Sequence, residues 1–330
     1  GFNTSAILGF VNTLEEVLKK ENPTHIGVAF DPAGPTFRHE AFEQYKAQRE
    51  ETPEAIRLSV PIIKEIIRAY RIPILEVAGY EADDVIGTLA TEAGRQGIIT
   101  YMMTPDKDYG QLVSDKVFMY RPKHTGGFEV MGVDEVKAKF DIQSPAQVID
   151  MLGLMGDSSD NIPGCPGVGE KTAQKLIAEF GSIENLLEHT DQLKGALKTK
   201  VETNREMITF SKFLATIKID VPIQLDMDSL VREQADEDSL RQIFEELEFR
   251  TLIDRVLKKE NAGNGITTPT GNKTAAEKSN LAPLPLFPEE GGAVQGDLFA
   301  NFTGNEPGEA KNSNLATLET LNCDYQLIDT

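Results

Sequence analysis

Only two cysteines occur in the 330 residues, Cys165 and Cys323, far apart and without metal-ligand spacing. With no secretory signal pattern beside them, they fit a reducing, cytoplasmic setting and supply no cysteine metal site. Apolar runs are short as well. Hydrophobic residues make up 40% of the chain, but no stretch approaches the length needed to cross a bilayer, so no membrane partner is expected. Positive charge is the third scarcity, with 33 lysines and arginines against 53 acids and a formal charge of −20. Taken alone, that balance argues against a nucleic-acid partner, because phosphate binding leaves a basic footprint. The local distribution decides otherwise. Arg38, Lys46, Arg49 and Arg57 form one basic group, and Lys171, Lys175, Lys194, Lys198, Lys200 and Arg205 a second, flanking the acidic motifs.

What the chain does have is a concentration of acids between residues 79 and 112. GYEADDVIG is followed by the apolar run IITYMM and then by TPDKDYGQL, which brings Glu81, Asp83, Asp84, Asp106 and Asp108 to strand ends and helix starts. Carboxylates about 4 Å apart repel by roughly 4 kcal/mol per pair at an effective dielectric near 20. A convergent group of five therefore needs multivalent cations or several raised pKa values. Oxygen-only ligands select Mg²⁺ or Mn²⁺ rather than zinc. EADD by itself also suits the first turn of a helix, where acids favour the macrodipole. DKD after a buried strand is harder to explain that way, since ligands of open α/β sheets sit beyond the carboxyl ends of the strands.

Hydrophobic periodicity predicts a helix over 1–20 and a short strand over 25–30, with Asp31 at its end as a further strand-end acid; an Asp before Pro32 is also a common turn starter. In PTFRHEAFEQYKAQRE, Arg38, Lys46 and Arg49 stand among Phe37, Phe42 and Tyr45, a composition that meets phosphates while rings stack or pack. A solvated amphipathic helix has the same spacing. Helices over 53–70 and 82–94 alternate with strands at 74–77, 98–103 and 117–120, which predicts an α/β domain with a parallel sheet covered on both faces. From 134 onward helices dominate. Among them GDSSDNIPGCPGVGEKTAQKL carries Asp157 and Asp160 at three-residue spacing and then a glycine hairpin. The hairpin residues Gly164, Gly167, Val168, Gly169, Lys171, Thr172 and Lys175 form a candidate phosphate-binding helix N-terminus, with a ligand-free helix-helix turn as the alternative. A P-loop is rejected because Glu170 intervenes before Lys171 and no strand leads in. Further helices are expected near 204–215, 237–247 and 252–257. Residues 261–311 read as a disordered linker with LPLF and DLFANF patches, and DYQLID at 324–329 as the opening strand of another domain.

In collinear order, AFD with FRHE and YKAQR, GYEADD, TPDKDYGQL and GDSSDNIPGCPGVGEKTA resemble the flap endonuclease family, and within it the 5′ nuclease domains of bacterial DNA polymerase I, over about residues 1–257. The resemblance implies a PIN-like 5′ nuclease domain over 1–133, a helical subdomain with a helix-hairpin-helix over 134–257, a linker over 258–312 and the start of a proofreading-exonuclease-like domain over 313–330. It implies two Mg²⁺ or Mn²⁺ ions held by Asp31, Glu81, Asp83, Asp84, Asp106, Asp108, Asp157 and Asp160. Arg38, Lys46 and Arg49 would belong to an arch or clamp contacting the 5′ strand near the scissile phosphate. The 164–171 hairpin would hold duplex backbone, with a monovalent cation. The family also carries a metal-binding Asp at the end of a first strand that this sequence does not contain, so the chain reads as a fragment, with an apolar slot and unpaired edge groups expected in its sheet. The implied function is two-metal hydrolysis of phosphodiesters in DNA with 5′ flaps or RNA primers, independent of sequence, by a monomer. A non-catalytic DNA-structure binding module and a phosphohydrolase of small substrates are the rival readings.

Overall fold

The first helix, α1 (Ser5–Lys20), exists because Ile7, Phe10, Val11, Leu14 and Leu18 recur at helical spacing and are all buried. This protein's structure, a computed structural model, describes residues 3–123 and 126–257. The expected linker, the strand at 324–329 and Cys323 lie outside the described residues. After α1 the chain runs through β1 (Val28–Ala29), α2 (Phe37–Ala41), α3 (Glu54–Ala69), β2 (Ile74–Leu75), α4 (Ala82–Arg95) and β3 (Thr100–Met103). A 3₁₀ turn over Lys107–Leu112 leads to β4 (Val117–Pro122) and β5 (Phe128–Met131). The helical half follows: α5 (Val133–Phe140), α6 (Gln147–Met155), α7 (Glu170–Phe180), α8 (Ile183–Glu188), α9 (Gly195–Thr203) and α10 (Arg205–Ala215). The described residues close with α11 (Met227–Leu230), α12 (Glu237–Glu246) and α13 (Arg250–Leu257).

One parallel sheet was expected, and the described residues form two. β1 pairs with β2 in parallel, while β3 pairs with β4 in parallel and β4 with β5 antiparallel. The hairpin partner β5 carries no alternation strong enough to have been read from sequence. Between the two sheets lies a cavity of about 1600 Å³, lined by Phe10, Leu14 and Val17 of α1, Val28 and Ala29 of β1, and Tyr101 and Met103 of β3. At one end it meets the acids.

Packing does not follow the boundary expected at residues 133 and 134. One hydrophobic cluster joins Met102, Val117, Met119 and Met131 of the three-stranded sheet to Val136, Leu152, Leu154, Ile177 and Leu214 of the helical half. A second joins α1 and α3 to Leu240, Phe244, Leu252 and Leu257, so α12 and α13 return to the beginning of the chain. The polypeptide thus crosses between its halves twice.

Candidate metal and nucleic-acid site

Four segments bring carboxylates to the end of the cavity. Asp31 follows β1 and accepts the Ala82 backbone N–H at 2.7 Å, which ties it to the first turn of α4. Glu81 and Asp83 begin α4, Asp106 and Asp108 begin the 3₁₀ turn after β3, and Asp157 and Asp160 follow α6. Asp31, Asp83, Asp106 and Asp157 line the cavity together with Lys107. Asp106 caps its own turn by accepting the Asp108 N–H at 2.8 Å, a geometry that the Asp-x-Asp spacing encodes locally. Asp157 accepts the Ser159 N–H at 2.7 Å, and its other oxygen faces the Lys107 ammonium at 3.0 Å.

The segment after α2 is neither a continued helix nor a solvated one. Residues 43–48 form successive turns, and Lys46 takes a left-handed φ of 56°. That conformation turns its side chain into the acids: Lys46 Nζ lies 2.6 Å from Glu81 Oε1 and 3.9 Å from Asp160 Oδ2. Arg49 donates to Asp160 Oδ1 at 2.5 Å. The buried Tyr45 hydroxyl lies 3.1 Å from both Glu81 Oε2 and Asp160 Oδ2, linking the two halves of the chain. Lys107 and Tyr109 were not singled out by sequence reasoning, and Tyr45 was expected only as a ring that stacks or packs among the bases. Each adjoins a residue that was singled out, but which way a turn residue points depends on tertiary packing.

Two assignments are corrected. Asp84 is fully buried, and its carboxylate accepts four hydrogen bonds, from Arg38 Nη1 and Nη2 and from the backbone N–H groups of Glu81 and Lys218. No lone pair is left for a metal, and the bond to Glu81 N is the helix-capping role that EADD also allowed. Arg38 is buried beneath it. Its five N–H groups go to Leu214 O, Glu81, Asp84 twice and Thr216 O, at 2.7–2.9 Å. A guanidinium with every donor engaged has none for a phosphate, so Arg38 pins the start of α4 to the carbonyl end of α10.

The remaining acids carry the electrostatic signature of crowding. Burial and the neighbouring Asp106 push the Asp83 carboxyl up to about 8. Burial, then Asp106 and Asp157, push Asp108 well above the usual carboxylate range. Burial would raise Glu81 too, but Lys46 and Arg38 outweigh it and hold it below its ordinary value. Asp108 Oδ1 is buried without a hydrogen-bond partner. An all-oxygen donor set with excess negative charge and an orphaned buried oxygen fits a hard divalent cation. Among the described residues no three of these groups already converge as ligands on one point. Glu81, Asp157 and Asp160 are paired instead with Lys46, Lys107 and Arg49.

In the glycine hairpin the seven candidate residues divide. Gly164 is buried, donates its N–H to Ser211 Oγ at 2.9 Å, and has φ of 63°. Val168 is buried in the core and gives its N–H to Cys165 O at 2.9 Å. Both are corrected to packing residues. Thr172 is half-buried, while Gly167, Gly169, Lys171 and Lys175 are exposed around the N-terminus of α7. Lys200 Nζ donates to Gly167 O at 3.3 Å. No strand leads into the hairpin, in keeping with rejection of a P-loop.

Residues 1–141 match the family described as 5′-3′ exonuclease, N-terminal resolvase-like domain, and residues 143–238 match the 5′-3′ exonuclease, C-terminal SAM fold. The chain belongs to the 5′-3′ exonuclease family. DNA polymerase I of Bacillus caldotenax is 42% identical to this 5′-3′ exonuclease chain over 258 residues, which is 78% of the chain and 29% of that relative. The chain thus spans about a third or less of the length of the curated relatives it matches. Among solved structures, T5 5′-exonuclease with bound zinc aligns over 74% of this chain and 91% of its own, with a TM-score of 0.58 and 21% identity. T5 flap endonuclease in a pseudo-enzyme-product complex with DNA and metal ions aligns over the same 74% and 91%, with a TM-score of 0.55 and 22% identity. These two likenesses establish the fold, that of a flap nuclease. No helix among the described residues is long and apolar enough to cross a membrane.

Proposed function

We propose that this chain is a Mg²⁺- or Mn²⁺-dependent 5′ nuclease that removes 5′ flaps and RNA primers from DNA without reading sequence. The observation that carries this reading is the gathering of Asp31, Asp83, Asp106 and Asp157 from four segments at one end of one cavity, with Lys107 among them and with Glu81 and Asp160 paired to Lys46 and Arg49. Asp83, Asp106, Asp108 and Asp157 would hold two divalent ions, with Asp31, Glu81 and Asp160 at the margin of the group. When bound, such ions supply the Lewis acidity and charge neutralisation that phosphodiester hydrolysis requires. The chain's own part is placement. Lys46 and Arg49 neutralise Glu81 and Asp160 before substrate arrives, and their exchange onto a scissile phosphate would hold it against the acids. Gly167, Gly169, Lys171 and Lys175 would take duplex backbone at the α7 N-terminus, which positions DNA without selecting bases.

The relatives named DNA polymerase I lead us to propose further that the domain acts within such a polymerase, in replication and repair, as a monomer in the cytoplasm. The Lys200 ammonium at Gly167 O, rather than a monovalent cation, supplies positive charge to the hairpin in this reading. The test is cleavage of a labelled 5′-flap duplex with and without Mg²⁺, beside an Asp106→Asn, Asp108→Asn double variant. Cleavage that needs Mg²⁺ and disappears in the double variant is expected. Flap binding without any cutting would favour a binding module instead.

A further inference from the structure

The 3₁₀ turn that carries Asp106 and Asp108 also carries a tyrosine whose hydroxyl is spent entirely on the acids. Tyr109 is 2% exposed and belongs to the larger hydrophobic cluster, where its ring needs no polar partner. Its hydroxyl nevertheless donates to Asp83 Oδ1 at 2.6 Å, across from the first turn of α4. That length is at the short end for an O–H···O hydrogen bond. It is also the hydrogen bond found on the Asp83 carboxylate among the described residues. Asp84, the next residue, is held by four bonds, whereas Asp83 is held by this one and pushed by Asp106. Lys46 also attracts Asp83 through space, but among the described residues the Tyr109 hydroxyl is the hydrogen-bond partner found for its carboxylate, and only a hydrogen bond fixes which way an oxygen points.

We propose that Tyr109 is a positioning residue, whose hydroxyl fixes one oxygen of Asp83 so that the carboxylate is presented as a divalent-ion ligand. The inference rests on the reading of the acids as a metal centre. Carboxylates that ligate metals are themselves oriented by hydrogen bonds, and loss of such a partner costs about 10- to 100-fold in metal affinity or activity. Tyr109 has the required chemistry: a rigid ring locked by the core, one rotatable bond at the hydroxyl, and an O–H that donates without bringing charge.

The experiment compares the parent chain with Tyr109→Phe and Tyr109→Leu. Mn²⁺ binding is measured first, by electron paramagnetic resonance in the absence of DNA. The Mg²⁺ concentration for half-maximal flap cleavage and the KM for the flap are measured next. Both variants are expected to bind Mn²⁺ about 10-fold more weakly and to need correspondingly more Mg²⁺, with KM unchanged. Only Tyr109→Leu should also melt at a markedly lower temperature. Parent-like Mn²⁺ binding in Tyr109→Phe, with weakening only in Tyr109→Leu, would reduce Tyr109 to a packing residue and leave the metal centre standing. A parent chain that binds no Mn²⁺ would overturn the metal centre and this role with it.

Discussion

Arg38 and Asp84 are legible in the sequence as charged residues near a site, and their roles are not. Arg38 and Asp84 are 46 residues apart in sequence, and nothing local says that the guanidinium of one will saturate the carboxylate of the other. Side chains with every donor and acceptor satisfied inside a core act through position. Replacing Arg38 by Met leaves Asp84 buried without its cation, beside a Glu81 that keeps only Lys46, which should destabilise the fold by about 3–5 kcal/mol in urea unfolding. A variant as stable as the parent but defective in DNA binding would return Arg38 to the phosphate. Asp83 makes the opposite case, a site acid with little holding it. Its carboxyl is raised from the ordinary value, near about 3.9, to about 8. A raised carboxyl contributes stability that is present below the ordinary value and lost as pH rises through the folded one. The ion-free chain should therefore lose melting temperature between pH 5 and pH 8. Asp83→Asn, which does not ionise, should flatten that decline, and equal slopes in the two proteins would contradict the assignment.

At the scale of elements, the hairpin between α6 and α7 shows how one glycine motif serves two purposes. Gly164 has φ of 63°, and a Cβ there would stand 2.3 Å from Gly156 N and 2.6 Å from Met155 C, both backbone atoms. Gly169 begins α7 with nothing within 4 Å of its own Cβ position. Gly164→Ala should cost about 3 kcal/mol in thermal or urea unfolding, from left-handed strain and overpacking together. Gly169→Ala should cost less than about 1 kcal/mol, with any larger effect confined to duplex binding. The glycine spacing announced a tight turn, but only contact with Gly156 separates the structural glycine from the exposed ones. The same holds for residues 43–48. Their composition reads equally as helix or as clamp, and the choice is made by Tyr45 burying its ring and Lys46 turning to Glu81.

For the molecule as a whole, a formal charge of −20 misleads because acids and bases are sorted in space. The most crowded acids have cations threaded between them, and the exposed lysines of α7 stand apart on the helical half. The two hydrophobic clusters explain why the halves hold this arrangement. One runs from the three-stranded sheet into the helices α5 to α10, and the other brings α12 and α13 back onto α1 and α3. Arg38, Gln111 and Lys218 cross the junction with hydrogen bonds at 2.7–3.0 Å, so the acidic end of the cavity is framed from both sides.

By itself the sequence determined the alternation of strands and helices, the positions of the acids at strand and helix ends, and the glycine turn. These follow from periodicity, capping and backbone preference, all of which act within a few residues. Only the tertiary structure decided that the sheet is divided around a cavity, that Asp84 and Arg38 saturate each other, and that Tyr109 reaches Asp83. Those outcomes depend on which distant groups meet in the core, where a carboxylate surrounded by four donors and one held by a single hydroxyl come from adjacent letters of the same motif.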